Sequence, residues 1–137
     1  MKPLLVREWM RTNPLAVEPQ TSLRAARKRI QDHRVRCLPV LQEGKLLGLA
    51  MCHELMDLDL LEMYYLSKNT VAEVMTKEVV VTTPDAPLLE AARTLLRYEL
   101  EALPVMEGGN LVGLLSQREV LRGLLTAVDA QAMALAA

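Results

Sequence analysis

A chain of 137 residues, 51% of them hydrophobic, has the size of one domain with a true core. Its formal net charge of −1 gives no electrostatic reason to expect nucleic acid or an anionic membrane as a partner. No apolar run reaches the roughly 18 residues of a membrane helix. Charges also interrupt the N-terminal segment too early for a signal peptide, so a soluble, cytoplasmic protein is expected.

In chain order, Val6 to Met10 is predicted as one helical turn, and Pro14-Leu15-Ala16-Val17 as a short strand. Pro19 leads into a helix with its apolar stripe at Leu23, Ala26 and Ile30. Leu38-Pro39-Val40, a turn at Gly44 and the run Leu46 to Leu49 read as a hairpin. A helix follows from Glu54, with Leu55, Leu58 and Leu61 in phase to about Leu66, and Ser67-Lys68-Asn69 reads as the linker. Thr70-Val71-Ala72-Glu73 has the spacing of a capping box, and the β-branched segment Glu78 to Thr82 reads as a strand. Pro87 suits the first turn of a helix whose stripe is Leu88, Ala91, Ala92, Leu95 and Leu96. A second hairpin joins Leu103-Pro104-Val105-Met106 to Leu111-Val112-Gly113-Leu114-Leu115 across Glu107-Gly108-Gly109-Asn110. Ser116-Gln117-Arg118-Glu119 opens a last helix predicted to run through Leu121, Leu124, Leu125, Val128, Ala132 and Leu135. So small a domain cannot bury that whole tail, which is expected either to dock on a second copy or to fray.

The second half repeats the first. Pro39 and Pro104, Gly44 and Gly109, Gly48 and Gly113, and Glu54 and Glu119 each stand 65 residues apart. Val6, Glu8 and Met10 match Val71, Glu73 and Met75 at the same offset, as Pro19, Leu23 and Ala26 match Pro84, Leu88 and Ala91. Two copies are too few for a solenoid, so they must bury their apolar faces against each other. The expectation is one pseudo-symmetric domain, with repeat 1 over 1–66 and repeat 2, with its helical tail, over 67–137.

The chemistry concentrates where the last helix begins. Ser116-Gln117-Arg118-Glu119 lies at a helix N-terminus, where free amides and the dipole favour a phosphate, yet Ser-x-x-Glu is equally a capping box. Pro104 has no amide hydrogen, which suits a strand edge, and Gly48 and Gly113 permit close approach of a backbone or a ligand. Thr76 and Lys77 stand in a polar loop before the second repeat's first strand. His33, Cys37, Cys52 and His53 are metal-ligand types, but their spacing is not that of a zinc site and repeat 2 lacks them, so no metal is expected and the cysteines are expected to be free thiols packed as small hydrophobes. There is no nucleophile elbow, no HExxH and no phosphate-cradling GxxxxGK, so an enzyme is not expected.

The shared elements are V-x-E-x-M, a helix with a central alanine, L-P-V, the glycine turn and G-L-x-x-x-x-E. With these in order, each repeat resembles a cystathionine-β-synthase (CBS) domain and the tandem resembles a Bateman module, from roughly Val6 to Leu125. The resemblance implies an α/β (α+β) fold of duplicated β-α-β-β-α units packed with pseudo-twofold symmetry through their sheets. It implies a regulatory module that binds an adenosine-containing ligand (AMP, ADP or ATP, or S-adenosylmethionine), with no required cofactor, and acts in trans on a regulated partner. A homodimer forming a disk of four repeats is implied as well; the alternative is a ligand-free dimerisation module. The residues implied are Ser116 and Arg118 for phosphate, Glu119 (aspartate in the family) for ribose, and Val79, Leu103 and Pro104 for adenine, with Thr76 and Lys77 lining the same cleft. Leu38, Pro39, His53 and Glu54 would form a weaker second cleft, where Met51 replaces the hydroxyl.

Overall fold

The computed structural model describes residues 3–56 and 70–136. Its elements are α1 (Val6–Trp9), β1 (Arg11–Thr12), α2 (Leu23–His33), β2 (Cys37–Gln42), β3 (Lys45–Met51), α3 (Cys52–Met56), α4 (Val71–Val74), α5 (Leu88–Arg97), β4 (Ala102–Glu107), β5 (Asn110–Ser116) and α6 (Gln117–Ala136). The helix continuation expected from Leu58 to Leu66 and the linker at Ser67-Lys68-Asn69 lie outside the described residues.

Local signals explain most of these boundaries. Helix α2 starts where Ser22 Oγ accepts the amide of Ala25 at 3.1 Å, buries Leu23, Ala26 and Ile30, and stops at Arg34 in the left-handed region. Helix α5 buries Leu88, Ala91 and Leu95, but Pro87 is its N-cap rather than a first-turn residue. Leu96 corrects the expected stripe: it lies on the outer flank beyond Ala92 and is 81% exposed. Thr70 likewise makes no side-chain cap, because pairing with Ser22 already holds it extended at the start of a single helical turn. The hairpin turns have consecutive positive φ values, 52° and 81° at Glu43-Gly44 and 59° and 82° at Gly108-Gly109, which matches the twist of the strands they join.

The two predicted first strands are single bridges. Val17 pairs in parallel with Val40 and Thr82 with Val105, each through two hydrogen bonds, and the pairing goes no further. Prolines on both sides of the first (Pro14, Pro19) and just after the second (Pro84) keep these segments from extending a ladder.

The halves meet through their sheets: Cys37, Leu49, Ala102 and Leu114, one from each of the four hairpin strands, form a buried cluster with Met51 and Val79 packed against it. They are also crossed. Strand β1, from repeat 1, pairs with β5 of repeat 2, through Arg11 with Leu114 and Thr12 with Gly113. Thr76, from repeat 2, pairs with Leu49 on β3 of repeat 1. Val6 of α1 lies fully buried in the repeat 2 core, its amide on the carbonyl of Ala86 at 2.9 Å. Val71 of α4 lies fully buried in the repeat 1 core, its amide on the carbonyl of Thr21 at 2.8 Å. Each repeat thus lends its first turn to the other.

The crossing decides what the repeated glycines are for. A Cβ on Gly48 would come 2.5 Å from the carbonyl oxygen of Thr76, and one on Gly113 2.9 Å from that of Arg11. The close approach is that of a crossing backbone.

Candidate functional site

The groove between the halves has a volume of about 580 Å³ and is walled by both repeats. From repeat 1 come Arg11 on β1 and the segment Arg34-Val35-Arg36-Cys37, which the left-handed turn at Arg34 (φ 53°, ψ 42°) directs from the end of α2 into β2. From repeat 2 come Glu101 and Ala102, Leu114 and Ser116 on β5, and the first turns of α6. Two bonds fix where α6 begins: the amide of Gln117 donates to the Glu101 carbonyl at 3.0 Å, and its side-chain amide to the Leu100 carbonyl at 2.9 Å.

Glu119 is the focal group. It is only 8% exposed, accepts a hydrogen bond from Ser116 Oγ, and has Oε1 3.3 Å from Nε of Arg11. A carboxylate so nearly buried stays charged because both partners face it. Glu101 borders the same groove. Its Oε1 lies 3.7 Å from Nδ1 of His53, and its Oε2 is buried without a hydrogen-bond partner among the described residues. The Cys37 thiol is pushed up to about 12, by burial first and by the carboxylates of Glu101 and Glu119 next, so it stays protonated at neutral pH.

A family model of the CBS domain matches residues 6–60 and again residues 71–126. The chain belongs to the CBS domain family. Among the CBS proteins it is similar to, the uncharacterized protein MJ0188 of Methanocaldococcus jannaschii is 32% identical over 120 residues, 85% of this chain and 43% of that protein. The inosine-5′-monophosphate dehydrogenase of Korarchaeum cryptofilum is 30% identical over 110 residues, 77% of this chain but 21% of the enzyme. The chain therefore spans less than half the length of these curated relatives. Of the solved structures, CBSX2 in complex with AMP superposes with a TM-score of 0.79 at 29% identity, covering 90% of this chain and 97% of that one. The CBS domain pair of MJ0100, in complex with 5′-methylthioadenosine and S-adenosyl-L-methionine, gives 0.81 at 23% identity over 92% of this chain and 99% of that one, a likeness of fold.

Within this CBS pair, Ser116, Arg118 and Glu119 do come together along the groove. The others fall elsewhere. Leu103 is fully buried and Pro104 nearly so, and the Pro104 carbonyl accepts the Thr82 amide at 2.9 Å, so the edge expected to be free is already occupied. Leu38 and Pro39 are buried in the same way, with the Pro39 carbonyl on the Val17 amide at 2.9 Å. Val79 packs against the cluster that joins the sheets. Thr76, with Lys77 next to it, stands against β3 of the first half, because the crossing carries them to the cleft opposite Ser116. His53 is exposed beside Glu101, and Glu54 lies in α3. The groove residues that sequence reasoning missed are Arg11, Arg34, Val35, Arg36, Glu101, Leu121, Arg122 and Leu125. A signal for them exists: Arg34 and Arg36 stand 65 residues before Glu99 and Glu101, a reversal of charge inside an otherwise matching pattern.

Proposed function

We propose that this CBS pair is a regulatory module that holds an adenosine-containing ligand in the groove beside Ser116 and Glu119 and transmits the resulting change in its halves to a regulated partner. The observation that carries the reading is the nearly buried Glu119 carboxylate, fixed by Ser116 and Arg11 at the start of a 20-residue helix and open to a groove of ligand size. A carboxylate accepts from paired ribose hydroxyls, arginines bind phosphate, and the groove's apolar residues Val35, Leu114 and Leu121 offer a face for the base. The AMP complex of CBSX2 at 29% identity supports the same class of ligand. The role is sensing rather than catalysis, since the dehydrogenase relative shares only 21% of its length with this chain. Calorimetry against AMP, ADP, ATP, NAD and S-adenosylmethionine tests the proposal. Saturable heat with at least one of them is the expected result, and no heat and no thermal shift with any at millimolar concentration would overturn it.

A specific observation also favours self-association. Leu121, Leu125, Val128, Ala132 and Leu135 are spaced in alternating steps of four and three along α6, the spacing of a two-helix seam, and the larger ones are 59–81% exposed. A self-matching stripe of this kind fits the same stripe on a second copy. Light scattering over a wide dilution range should report a dimer that Leu125→Lys dissociates; a wild-type monomer throughout would remove this reading.

A further inference from the structure

The two clefts of the pair are geometrically equivalent and electrostatically opposite. Arg11 pairs with Leu114 where Thr76 pairs with Leu49, 65 residues away in each strand. Arg34 and Glu99 share the left-handed conformation, at φ 53° and 52°. The Arg36 carbonyl accepts the Cys52 amide at 2.7 Å, and the Glu101 carbonyl accepts the Gln117 amide at 3.0 Å. Backbone for backbone the positions coincide, yet Arg11, Arg34, Arg36 and Arg118 on one side become Thr76, Glu99, Glu101 and His53 on the other. The first set lines the groove together with Arg122. Arg11 is matched by Glu119 at 3.3 Å. Arg34, Arg36, Arg118 and Arg122 are exposed and have no ion pair within the chain among the described residues.

Four unmatched guanidiniums are more than one phosphate calls for, because a single phosphoryl group engages one or two such forks at full strength. Like-charge crowding around one small groove also repels a cationic ligand such as a sulfonium. We propose that the chain takes one ligand, in the arginine-walled groove, that this ligand carries a tail of two or more phosphates, and that the equivalent cleft bearing Glu99 and Glu101 does not take it. This deepens the adenosyl-ligand reading and rests on it for the nucleoside part of the ligand; the polyphosphate part rests on the arginines.

The test is calorimetry of the full chain against ATP, ADP, AMP, S-adenosylmethionine and inorganic tripolyphosphate. It is repeated on the double variant Arg34→Glu, Arg36→Glu, whose side chains copy those the fold already carries at 99 and 101. The expected result is one site per chain, affinity rising about tenfold or more for each added phosphate from AMP to ATP, and competition by tripolyphosphate. In the variant ATP affinity should fall about 100-fold, that of AMP by about tenfold or less, with the thermal midpoint kept. Equal affinity for AMP and ATP, S-adenosylmethionine binding as tightly as ATP, two equivalent ATP sites, or an unaffected folded variant would each overturn the inference while leaving the adenosyl reading in place. Tripolyphosphate binding with no adenosyl ligand bound would do the reverse, and no binding by any probe would end both. Should the variant fail to fold, the wild-type ranking and the tripolyphosphate competition still decide.

Discussion

Glu119 shows how a single longer side chain can be accommodated at a helix start. Its carboxylate is bound by Ser116 Oγ and Arg11, so in a Glu119→Ala protein those partners turn to water, Arg11 being half exposed. The stability cost should be about 1 kcal/mol or less by chemical denaturation, whereas ligand affinity should fall by about tenfold or more. Glu119→Gln should keep the contact with Ser116 and lose only the charge, giving a smaller affinity loss. Cys37 supplies a second measurement. Its thiol is held neutral in the folded chain to about pH 12 and ionises near 9 when unfolded, so it stabilises below pH 9 and that contribution drains away as pH rises towards 12. Cys37→Ala, which places repeat 2's Ala102 in the equivalent site, should flatten the alkaline stability slope by about 1.4 kcal/mol per pH unit. An unchanged slope would mean that the thiol is already ionised or solvated. Ser116 and Glu119 were legible in the sequence because they sit in a matched motif. Arg34 and Arg36 were not, because a repeat is read from its agreements and these two are disagreements.

At the scale of elements, periodicity was a sound guide wherever one face is buried and the other is wet. The stripes of α2 and α5 and the unbroken run of α6 were legible for that reason. The first strands were not, since a β-branched run such as Glu78 to Thr82 declares a preference for extended backbone but not the number of partners available. Partners were also invisible for the two glycines, whose neighbours come from the other half of the chain. Gly48→Ala forces a Cβ against the Thr76 carbonyl at 2.5 Å, which is backbone and cannot swing aside. It should destabilise the fold by about 1–3 kcal/mol, read from the urea midpoint, while Gly44→Ala in the open hairpin turn should act only through its positive φ. Comparable losses at the two sites, or none at Gly48, would argue against the tight crossing.

The molecule as a whole is two cores that cannot form independently. Val6 completes the core of the second half and Val71 that of the first, both fully buried. Val6→Ala and Val71→Ala should each cost about 1–3 kcal/mol, and each should lower one shared thermal transition rather than split it in two. Two resolved transitions in either variant would show that the halves fold apart. Duplication and its period were legible from residues 65 apart, but the crossing was not, because a fixed offset says which segments are alike and nothing about which of them touch. The exchanged first turns carry a practical consequence. A polypeptide severed between positions 66 and 67 would yield two fragments, each holding the plug that fits the other's cavity, so reassembly would be mutual and all-or-none. Such fragments fused to the halves of a reporter would turn the occupancy of the groove into a signal.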